Sequence, residues 1–263
     1  MHTSAVFGKT SLLPSEIEIR EDRYTVRFAR DDRELDQVLK LRFEVFNLEL
    51  NEGFEASYIN ERDEDRFDRS CLHLIVVENS SDRIVGTYRL RTLEMAGSEF
   101  GFYTSDEFAI EALPFDLLAN SVELGRACIA REHRNSRVLF LLWRGVARFL
   151  TVVGKRYLFG CCSLSTQDFT DGIKAERLLR SMNVVHPSIR VEPRADFRPM
   201  DSDFHTIDDG SDYKIPKLFE TYLRIGAQVL SGPVIDRSFK TIDFLVLVDS
   251  DSLSDRYSQL FFS

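Results

Sequence analysis

Apolar and polar positions along the chain follow two periods, and each period predicts a different kind of element. Alternation at every second position, as in Tyr24–Phe28 (YTVRF), predicts a strand with one buried face, whereas a short dense apolar run such as Ile242–Val248 predicts a strand buried on both faces. Six strands are expected from these patterns: Tyr24–Phe28, Leu72–Val77, Ile84–Leu93, Val122–Ala130, Tyr157–Ser163 and Ile242–Val248.

Apolar residues spaced three and four apart predict helices between these strands. Asp31 and Glu34 have the spacing of a capping box, in which Asp31 caps the helix and Glu34 reaches back, and the helix that follows keeps an apolar face as far as Phe46. The segment Ser136–Val153 is apolar nearly all round, which predicts a largely buried helix. Further helices are expected at Asp106–Leu113, where Pro114 would end the helix, at Thr170–Met182 and at Ile215–Leu230.

The order of these elements predicts the fold class. Antiparallel strands come first and a strand–helix–strand unit comes later, which is typical of an α/β (α+β) fold with one mixed, mostly antiparallel sheet and helices on both faces. Residues 1–20 are expected to form a loosely ordered arm, and residues 21–263 a single domain. An irregular insertion near residues 186–216, which contains four prolines, interrupts this domain and is interpreted as a cap on the substrate side.

Composition narrows the function classes. The chain has 263 residues, a net charge of −9 and a pI of about 5.2, so a general affinity for nucleic acid is not expected. The charge is unevenly distributed, however. Residues 126–156 carry eight basic side chains and one acidic one, whereas residues 49–68 carry eight acidic side chains and two arginines. A local basic face on an acidic protein favours one specific acidic partner.

Targeting and redox features are few. No apolar run approaches the 18 residues of a membrane span, and the N-terminal residues lack the pattern of a signal peptide. The four cysteines have no zinc-type spacing and lie in or beside apolar segments, so we interpret them as small buried side chains in a reducing cytoplasm. His73 lies in a predicted strand and is interpreted as structural.

Several charged residues fall where the pattern predicts burial. Arg42 lies on the apolar face of the first helix, as either a buried cation with an acidic partner or an arginine that extends from the helix edge to solvent. Asp65 and Asp68 are three apart and precede a buried strand, whereas the other acids of residues 47–70 are expected to be solvated. Arg89 and Arg91 share one face of a strand.

The stretch Ser121–Arg137 (SVELGRACIAREHRNSR) combines the strongest chemical signals. A strand that carries Glu123 and Arg126 runs into a turn containing Arg131 and Arg134, and the turn leads into the long helix. The N-terminus of a helix has unpaired N–H groups and a partial positive charge, so this turn is a candidate anion site; a plain turn with solvated arginines is the alternative. Beyond it, Arg137, Arg144, Arg148 and Lys155 form one cationic stripe, or simply the solvated edge of a core helix.

Four short motifs occur in the order and spacing of a known signature. They are Arg42 with Phe46, Asp65-x-x-Asp68, Val85-Gly86-x-x-Arg89 and Glu123-x-x-Arg126. Together they resemble the signature of the acyl-homoserine-lactone synthases, which are acyltransferases of the GNAT fold. Residues 122–145, 157–164 and 218–249 are more similar still to the ornithine lipid N-acyltransferases, also called hemolysin-like proteins. The resemblance covers roughly residues 24–249.

This resemblance implies a specific reaction. The chain is expected to move a 3-hydroxyacyl group from acyl carrier protein to the amine of an amino acid, ornithine above all, giving a lyso-ornithine lipid. Acyl-homoserine-lactone synthesis with S-adenosylmethionine and a non-catalytic module that binds acyl carrier protein are the alternatives. The synthases usually carry a tryptophan before the acidic loop, whereas Gly53 and Phe54 stand there in this chain. The product would reside in the membrane, so a cytoplasmic protein with peripheral contact at the inner face is expected.

The donor and the site residues follow from the same resemblance. The turn at residues 131–136 has no glycine and so lacks the usual pyrophosphate cradle of acetyl-CoA enzymes, which suits the single phosphate of phosphopantetheine. No bound cofactor is expected, because the acyl-phosphopantetheine thioester is itself the co-substrate. Arg131, Arg134, Arg137, Arg144 and Arg148 would contact acyl carrier protein or its phosphate arm.

Roles in the reaction can be assigned on the same basis. Glu123 would act as the base, directly or through a water, beside Arg126. Backbone N–H groups near Cys128 would hold the oxyanion; Cys128 itself has no histidine partner that would make it a covalent nucleophile. Asp65 and Asp68 would pair with the arginines Arg42, Arg89 or Arg126, either to shape the amine pocket or only to hold the acidic loop.

Overall fold

A mixed β-sheet forms the centre of the computed structural model, which describes residues 17–97, 100–207, 209–211 and 213–262. The strand order is β1-β2-β3-β4-β5-β6-β9-β7, with β8 paired to β9. The strands are β1 Ile19–Arg20, β2 Tyr24–Phe28, β3 Leu72–Glu78, β4 Arg83–Thr92, β5 Ser121–Ile129, β6 Tyr157–Leu164, β7 Gln228–Val229, β8 Val234–Asp236 and β9 Thr241–Asp249. Within these ranges β5 and β6 pair in parallel, and the other neighbours pair antiparallel. The mixed, mostly antiparallel sheet is therefore confirmed.

Helices cover both faces of the sheet. On one face the Trp143 ring packs edge-on against Tyr88 of β4; on the other, Arg89 of β4 bonds to Asp68, which in turn bonds to the first helix. Side chains of adjacent strand residues point to opposite faces, so the helix that carries Trp143 and the helix that carries Arg42 lie on opposite sides of the sheet. The helices are α1 Asp32–Arg42, α2 Ser57–Asn60, α3 Leu93–Ala96, α4 Thr104–Glu107, α5 Phe115–Ala119, α6 Ser136–Val153, α7 Phe169–Ser181, α8 Lys217–Arg224 and α9 Asp255–Phe262.

Local sequence signals explain where the two main helices begin and end. The Asp31 side chain accepts a hydrogen bond from the Glu34 N–H and caps α1, which continues into a π-helical segment, Phe43–Glu49. The Asn135 side chain caps α6 in the same way, and Gly154 ends that helix with φ +64°. The Glu34 carboxylate does not complete the predicted capping box, because it accepts from the Arg30 N–H and from the Arg27 guanidinium instead.

Strands β5 and β6 separate part-way along their length. Their parallel pairing runs from Ser121 opposite Tyr157 only to Glu123 opposite Phe159. Beyond this point β5 contains an irregularity at Arg126, whose φ of +48° lies in the left-handed region, and its register against β4 shifts there. The two strands remain close at Gly160, where a Cβ would lie 2.2 Å from the Leu124 carbonyl oxygen, so only glycine fits. Beyond this contact the strands are no longer paired, and a gap opens between them in the middle of the sheet.

Two predicted helices differ from the structure. In place of one helix at Asp106–Leu113 the chain forms α4 and a 3₁₀ turn, because Phe108 is extended and bridges Pro193; Pro114 precedes α5. In place of a helix over Ile215–Leu230, α8 ends at Arg224, because Gly226 has φ +105° and the chain then enters β7. In both cases pairing with distant residues prevails over local periodicity.

The two less regular regions can be compared with their predictions. Residues 1–16 of the predicted arm lie outside the described residues, whereas Ile17 is buried and Ile19–Arg20 pair with β2. The segment 186–216 contains short 3₁₀ turns and isolated bridges. It packs beside β7 and β9, where Val191 and Leu230 share one apolar cluster.

Candidate active site

The gap between β5 and β6 holds a cavity of about 450 Å³. Its apolar wall comes from the strands, from the π-helical segment and from α6 and α8. This wall includes Phe46, Leu124, Trp143, Phe219, Tyr222, Phe239 and Val246. Polar and charged groups line other parts of the cavity, namely Glu52, Tyr103, Arg126, Arg134, Ser163, Ser165 and Asp243. An apolar cavity with a few polar groups is the usual form of a small-molecule site.

Beside the cavity, three arginines and three aspartates form a buried ion-pair network. Arg42 Nη1 donates to Asp68 Oδ1 at 2.6 Å, and Arg42 Nε donates to Asp63 Oδ1 at 3.1 Å. Arg89 Nη1 donates to Asp65 at 2.7 Å and to Asp68 at 2.9 Å. The expected pairing of Arg42 and Arg89 with the acidic loop is confirmed, and the alternative of an arginine reaching solvent is excluded for Arg42, which is fully buried.

Arg126 joins this network from the cavity side. Its Nη2 lies 3.3 Å from Asp65 Oδ2, and its Nε lies 3.4 Å from Asp63 Oδ1. Its guanidinium also lies over the Phe239 ring, 4.2 Å from the centroid, and over Tyr103, 4.7 Å from that centroid. Arg126 is thus held by charge and by aromatic faces where it lines the cavity.

The network fixes the ionisation of its members. Burial alone would raise the pKa of Asp68, but the Arg42 and Arg89 guanidinium groups outweigh this effect and hold the pKa well below its usual range. Burial raises the pKa of Asp65 in the same way, and Arg89 and Arg126 reverse the shift. Both aspartates are therefore charged near neutral pH, and so are the arginines.

Glu123 lies in β5 and is buried, with an exposed fraction of 6%. Its Oε1 accepts from the Thr104 N–H and hydroxyl, both at 2.8 Å, and its Oε2 accepts from the Tyr103 N–H at 3.1 Å. Burial raises the pKa of Glu123, and these three hydrogen bonds oppose that rise. The carboxylate therefore anchors the start of α4, and Tyr103 rather than Glu123 is among the residues that line the cavity.

Cys128 and Phe46 occupy different positions. Cys128 is buried on β5, and burial raises the pKa of its thiol to about 12, so the thiol is protonated and a poor nucleophile. Phe46 lines the cavity and packs edge-on against Phe239, with ring centroids 5.4 Å apart. The four cysteines are free, as expected. His73 Nε2 lies 2.9 Å from the Asp68 carbonyl oxygen, and burial lowers the pKa of His73 to about 4.

The basic residues of the turn and of α6 make contacts within the chain. Arg134 lines the cavity and pairs with Glu49. Arg137 Nε donates to Glu21 at 2.6 Å, and Arg144 Nη1 donates to the same carboxylate at 3.3 Å. Arg131 and Arg148 are exposed. The Asn135 side chain accepts from the N–H groups of Arg137 and Val138, so it occupies two donors of the predicted anion site.

Sequence reasoning missed three kinds of residue at this site. Asp63 is a full member of the ion-pair network, but it stands among eight acids without a distinguishing pattern. Glu21 binds the cationic stripe from more than a hundred residues away. Glu107, Asp236 and Asp243 form a buried acidic group. A lone aspartate in the apolar run IDFLVLV was the available signal for the last of these.

Comparison with known proteins now places the chain. Residues 41–144 match the model of the acetyltransferase (GNAT) domain. The L-ornithine N(alpha)-acyltransferase of Brucella abortus (strain 2308) is 31% identical, and the match covers 88% of this chain and 86% of that protein. The chain belongs to the family of L-ornithine N(alpha)-acyltransferases. The acyltransferase of the same name from Rhizobium meliloti (strain 1021) is 32% identical, with 88% and 81% covered.

Membership of the family confirms the resemblance seen in the sequence and makes the chain an acyltransferase. Among solved structures, an N-acyl amino acid synthase from uncultured soil microbes superposes with a TM-score of 0.54 and 9% identity, covering 88% of this chain and 92% of that one. At this identity the superposition supports the fold, which is a GNAT-type fold as expected. None of the helices in the described ranges combines the length and apolar character that a membrane crossing needs.

Proposed function

We propose that this acyltransferase moves a 3-hydroxyacyl chain from acyl carrier protein to the α-amine of ornithine, giving a lyso-ornithine lipid. The observation that carries the proposal is the cavity at the separation of β5 and β6. One wall is aromatic and aliphatic, as a fatty acyl chain requires, and Arg126 and buried acids line the same space, as a charged amino acid requires. The curated relatives, named L-ornithine N(alpha)-acyltransferases, support the choice of ornithine.

The reaction is the aminolysis of a thioester. The amino acid arrives as an ammonium ion and loses one proton, the neutral nitrogen attacks the carbonyl carbon, a C–N bond forms, and the C–S bond breaks to release the pantetheine thiol. Glu123 is our candidate for the base, through a water, because burial raises its pKa and so makes the carboxylate a stronger base. Backbone N–H groups of β5 near Cys128 are our candidates for binding the oxyanion.

We propose that the ion-pair network positions the acceptor amine. Arg42 bonds to Asp63 and Arg89 bonds to Asp65, and these two aspartates in turn pair with Arg126 at the cavity wall. A guanidinium fixed in this way is a rigid partner for the α-carboxylate of an amino acid. Phe46 would contact the acyl chain or the reacting carbonyl from the opposite wall.

The donor is proposed to be acyl carrier protein, with no bound cofactor. Arg134 would contact the phosphate of the pantetheine arm, a role that its position in the cavity lining supports. Arg131, Arg137, Arg144 and Arg148 would face the acidic carrier protein, which requires that Glu21 release or share its two arginines. Because the product is amphiphilic, the proposal also includes peripheral contact of the protein with a membrane.

The test is turnover of the purified protein, read by mass spectrometry. The donors compared are 3-hydroxyacyl carrier protein and the matching acyl-CoA, and the acceptors are a panel of amino acids and S-adenosylmethionine. We expect acyl-ornithine from the carrier-protein donor. Product only with S-adenosylmethionine would make the chain a homoserine-lactone synthase. Tight binding of carrier protein without product from any amine, and unchanged in Glu123→Gln, would make it a binding module.

A further inference from the structure

Three carboxylates meet in the protein interior. Glu107 ends α4, Asp236 ends β8 and Asp243 lies in β9, and one oxygen of each lies within 4.8 Å of the others. We call these three residues the acidic triad. Their exposed fractions are 1%, 4% and 3%. Burying several carboxylates together is costly unless a positive charge or protons compensate them.

The hydrogen bonds that reach the acidic triad come from neutral groups. Tyr103 donates its hydroxyl to Asp236 Oδ2 at 3.2 Å, and the N–H groups of Ser238 and Phe239 donate to Asp236 Oδ1 at 2.9 Å. Cys161 donates its thiol to Glu107 Oε2 at 3.5 Å, and Thr241 donates its hydroxyl to Asp243 Oδ2 at 3.1 Å. Glu107 Oε1 and Asp243 Oδ1 are buried and have no hydrogen-bond partner among the described residues. Two unpartnered acceptor oxygens in one buried cluster indicate that a donor is missing there.

Electrostatics agree with this geometry. Burial raises the pKa of Asp243 to about 7, and Asp236 and Glu52 add to the effect while hydroxyl groups of Ser163 and Thr241 oppose it. Burial also raises the pKa of Glu107 well above its usual value, and Asp243 and Asp236 raise it further. The groups with the largest effects on the pKa values of these two residues are neutral or negative. A cation that entered the cluster would therefore be bound strongly.

The cluster borders the cavity through Asp243. Asp243, Cys161 and Tyr103 are among the residues that line it. The Tyr103 ring lies against the Arg126 guanidinium, and its hydroxyl reaches Asp236. One tyrosine therefore separates a cationic position from an anionic one within the same cavity. A molecule with a carboxylate at one end and an ammonium at the other matches this arrangement.

We propose that the acidic triad binds the side-chain ammonium of the acceptor amino acid and selects a diamino acid over a monoamino acid. An alkylammonium has three N–H donors in tetrahedral directions, so at hydrogen bonds of about 2.8 Å its acceptors lie about 4.6 Å apart. That separation lies within the limit that the three oxygens obey. Glu107 and Asp243 would each supply the oxygen that now lacks a donor, and the methylenes of the side chain would lie against the apolar part of the wall.

This inference rests on the proposed function, and one comparison separates the two. L-ornithine and L-norleucine have the same length, but norleucine carries a methyl group where ornithine carries its δ-ammonium. The parent enzyme should prefer ornithine by at least about 1,000-fold in kcat/KM, because a site built to bind a polar group rejects the analogue that lacks it. Absence of turnover with every amino acid would contradict the proposed function. Turnover with ornithine and norleucine at similar kcat/KM would contradict only the inference.

Two variants test whether the acidic triad causes the preference for ornithine over norleucine. Asp243→Asn and Glu107→Gln keep the size of each side chain and remove its charge. We expect each to lower kcat/KM for ornithine by about 100-fold, mostly through KM, while kcat/KM for norleucine is unchanged or higher. Asp249→Asn is the matched control, because Asp249 ends the same strand but pairs with exposed Arg156. Equal losses for ornithine and norleucine in both variants would indicate a structural role and overturn the inference.

Binding gives a second readout that does not depend on turnover. Calorimetry on the folded parent protein should detect L-ornithine but not L-norleucine, and Asp243→Asn should lose the ornithine signal. Circular dichroism confirms that the variants are folded. Mg²⁺ and Ca²⁺ are titrated in parallel, because three carboxylates also suit a divalent ion. Metal binding that Asp243→Asn abolishes, together with ornithine binding that this variant leaves unchanged, would overturn the proposal in favour of a metal site.

Discussion

Replacement of Arg42 by methionine tests the ion-pair network most directly. Arg42 is fully buried and bonds to both Asp63 and Asp68, so Arg42→Met leaves two buried carboxylates with fewer partners. Each charge-assisted hydrogen bond contributes about 1.5–3 kcal/mol. Asp68 keeps Arg89 at 2.9 Å and Asp63 keeps Arg126 at 3.4 Å, so the loss is only partial. We expect the free energy of unfolding to fall by about 3–5 kcal/mol, the usual cost of breaking a buried pair.

Equilibrium unfolding in urea measures this change. The midpoint should fall with little change in the m-value, and the melting temperature should drop by roughly 6–20 °C at about 2–4 °C per kcal/mol. Arg23→Met is the control, because Arg23 forms an exposed pair with Glu78 and should cost less than about 1 kcal/mol. Equal losses in the two variants would refute the argument that the buried network stabilises the fold.

Acid pH provides a second test of the same variant. The pKa of Asp68 is depressed in the folded protein, so its contribution to stability is complete above the unfolded pKa of about 3.9 and is lost as pH falls further, towards the folded pKa. Arg42→Met removes the largest favourable charge and raises the folded pKa. The gap in stability between parent and variant should therefore narrow below about pH 4. A constant gap would contradict the assignment of the effect to Asp68.

Three further variants test other parts of the site. Gly160→Ala should lower the free energy of unfolding by about 2–3 kcal/mol and reduce turnover in the same preparation, because its Cβ would lie 2.2 Å from the Leu124 carbonyl oxygen. Gly125→Ala is the control, because its Cβ would meet no described atom within 4 Å, and equal effects of the two variants would contradict the reasoning. Glu21→Gln should tighten binding of acyl carrier protein several-fold in low salt, because it releases Arg137 and Arg144. Surface plasmon resonance measures this affinity, and an unchanged affinity at every salt concentration would exclude these arginines from the interface. Thr104→Val removes a hydroxyl that lowers the pKa of Glu123, so the acidic limb of kcat/KM should move to higher pH if Glu123 must be deprotonated; an unmoved limb would argue against Glu123 as the base.

Local signals in the sequence predicted the elements whose ends they encode. The helix at Ser136–Val153 has the predicted bounds because Asn135 and Gly154 terminate it through their own side chain and backbone. The sequence alone could not decide whether Arg42 is buried or reaches solvent, because helical spacing places the side chain on the inner face but does not identify an acidic partner. The partners Asp63 and Asp68 come from a loop 21 and 26 residues away.

Features that depend on distant contacts could not be predicted in this way. The pairing of Phe108 with Pro193 divides a helical pattern that looks continuous in the sequence. The acidic triad joins α4 to β8 and β9, which lie more than a hundred residues later in the chain, and no spacing rule connects Glu107 with the two aspartates. The stripe on α6 was visible, but its internal partner Glu21 lies at the start of the chain. Sequence periodicity gives the face of an element, whereas the neighbour on that face depends on topology.

The bonds between Glu123 and the start of α4 limit how new acceptors can be introduced into this enzyme. The six-residue segment Phe102–Glu107 carries Tyr103 and Thr104, which hold the Glu123 carboxylate, and it ends with Glu107. A loop exchange that altered the choice of amine would therefore also displace the contacts of the candidate base. Directed evolution towards other amino acids should proceed more readily through Asp243 on its rigid strand than through this segment, where selectivity and rate would change together.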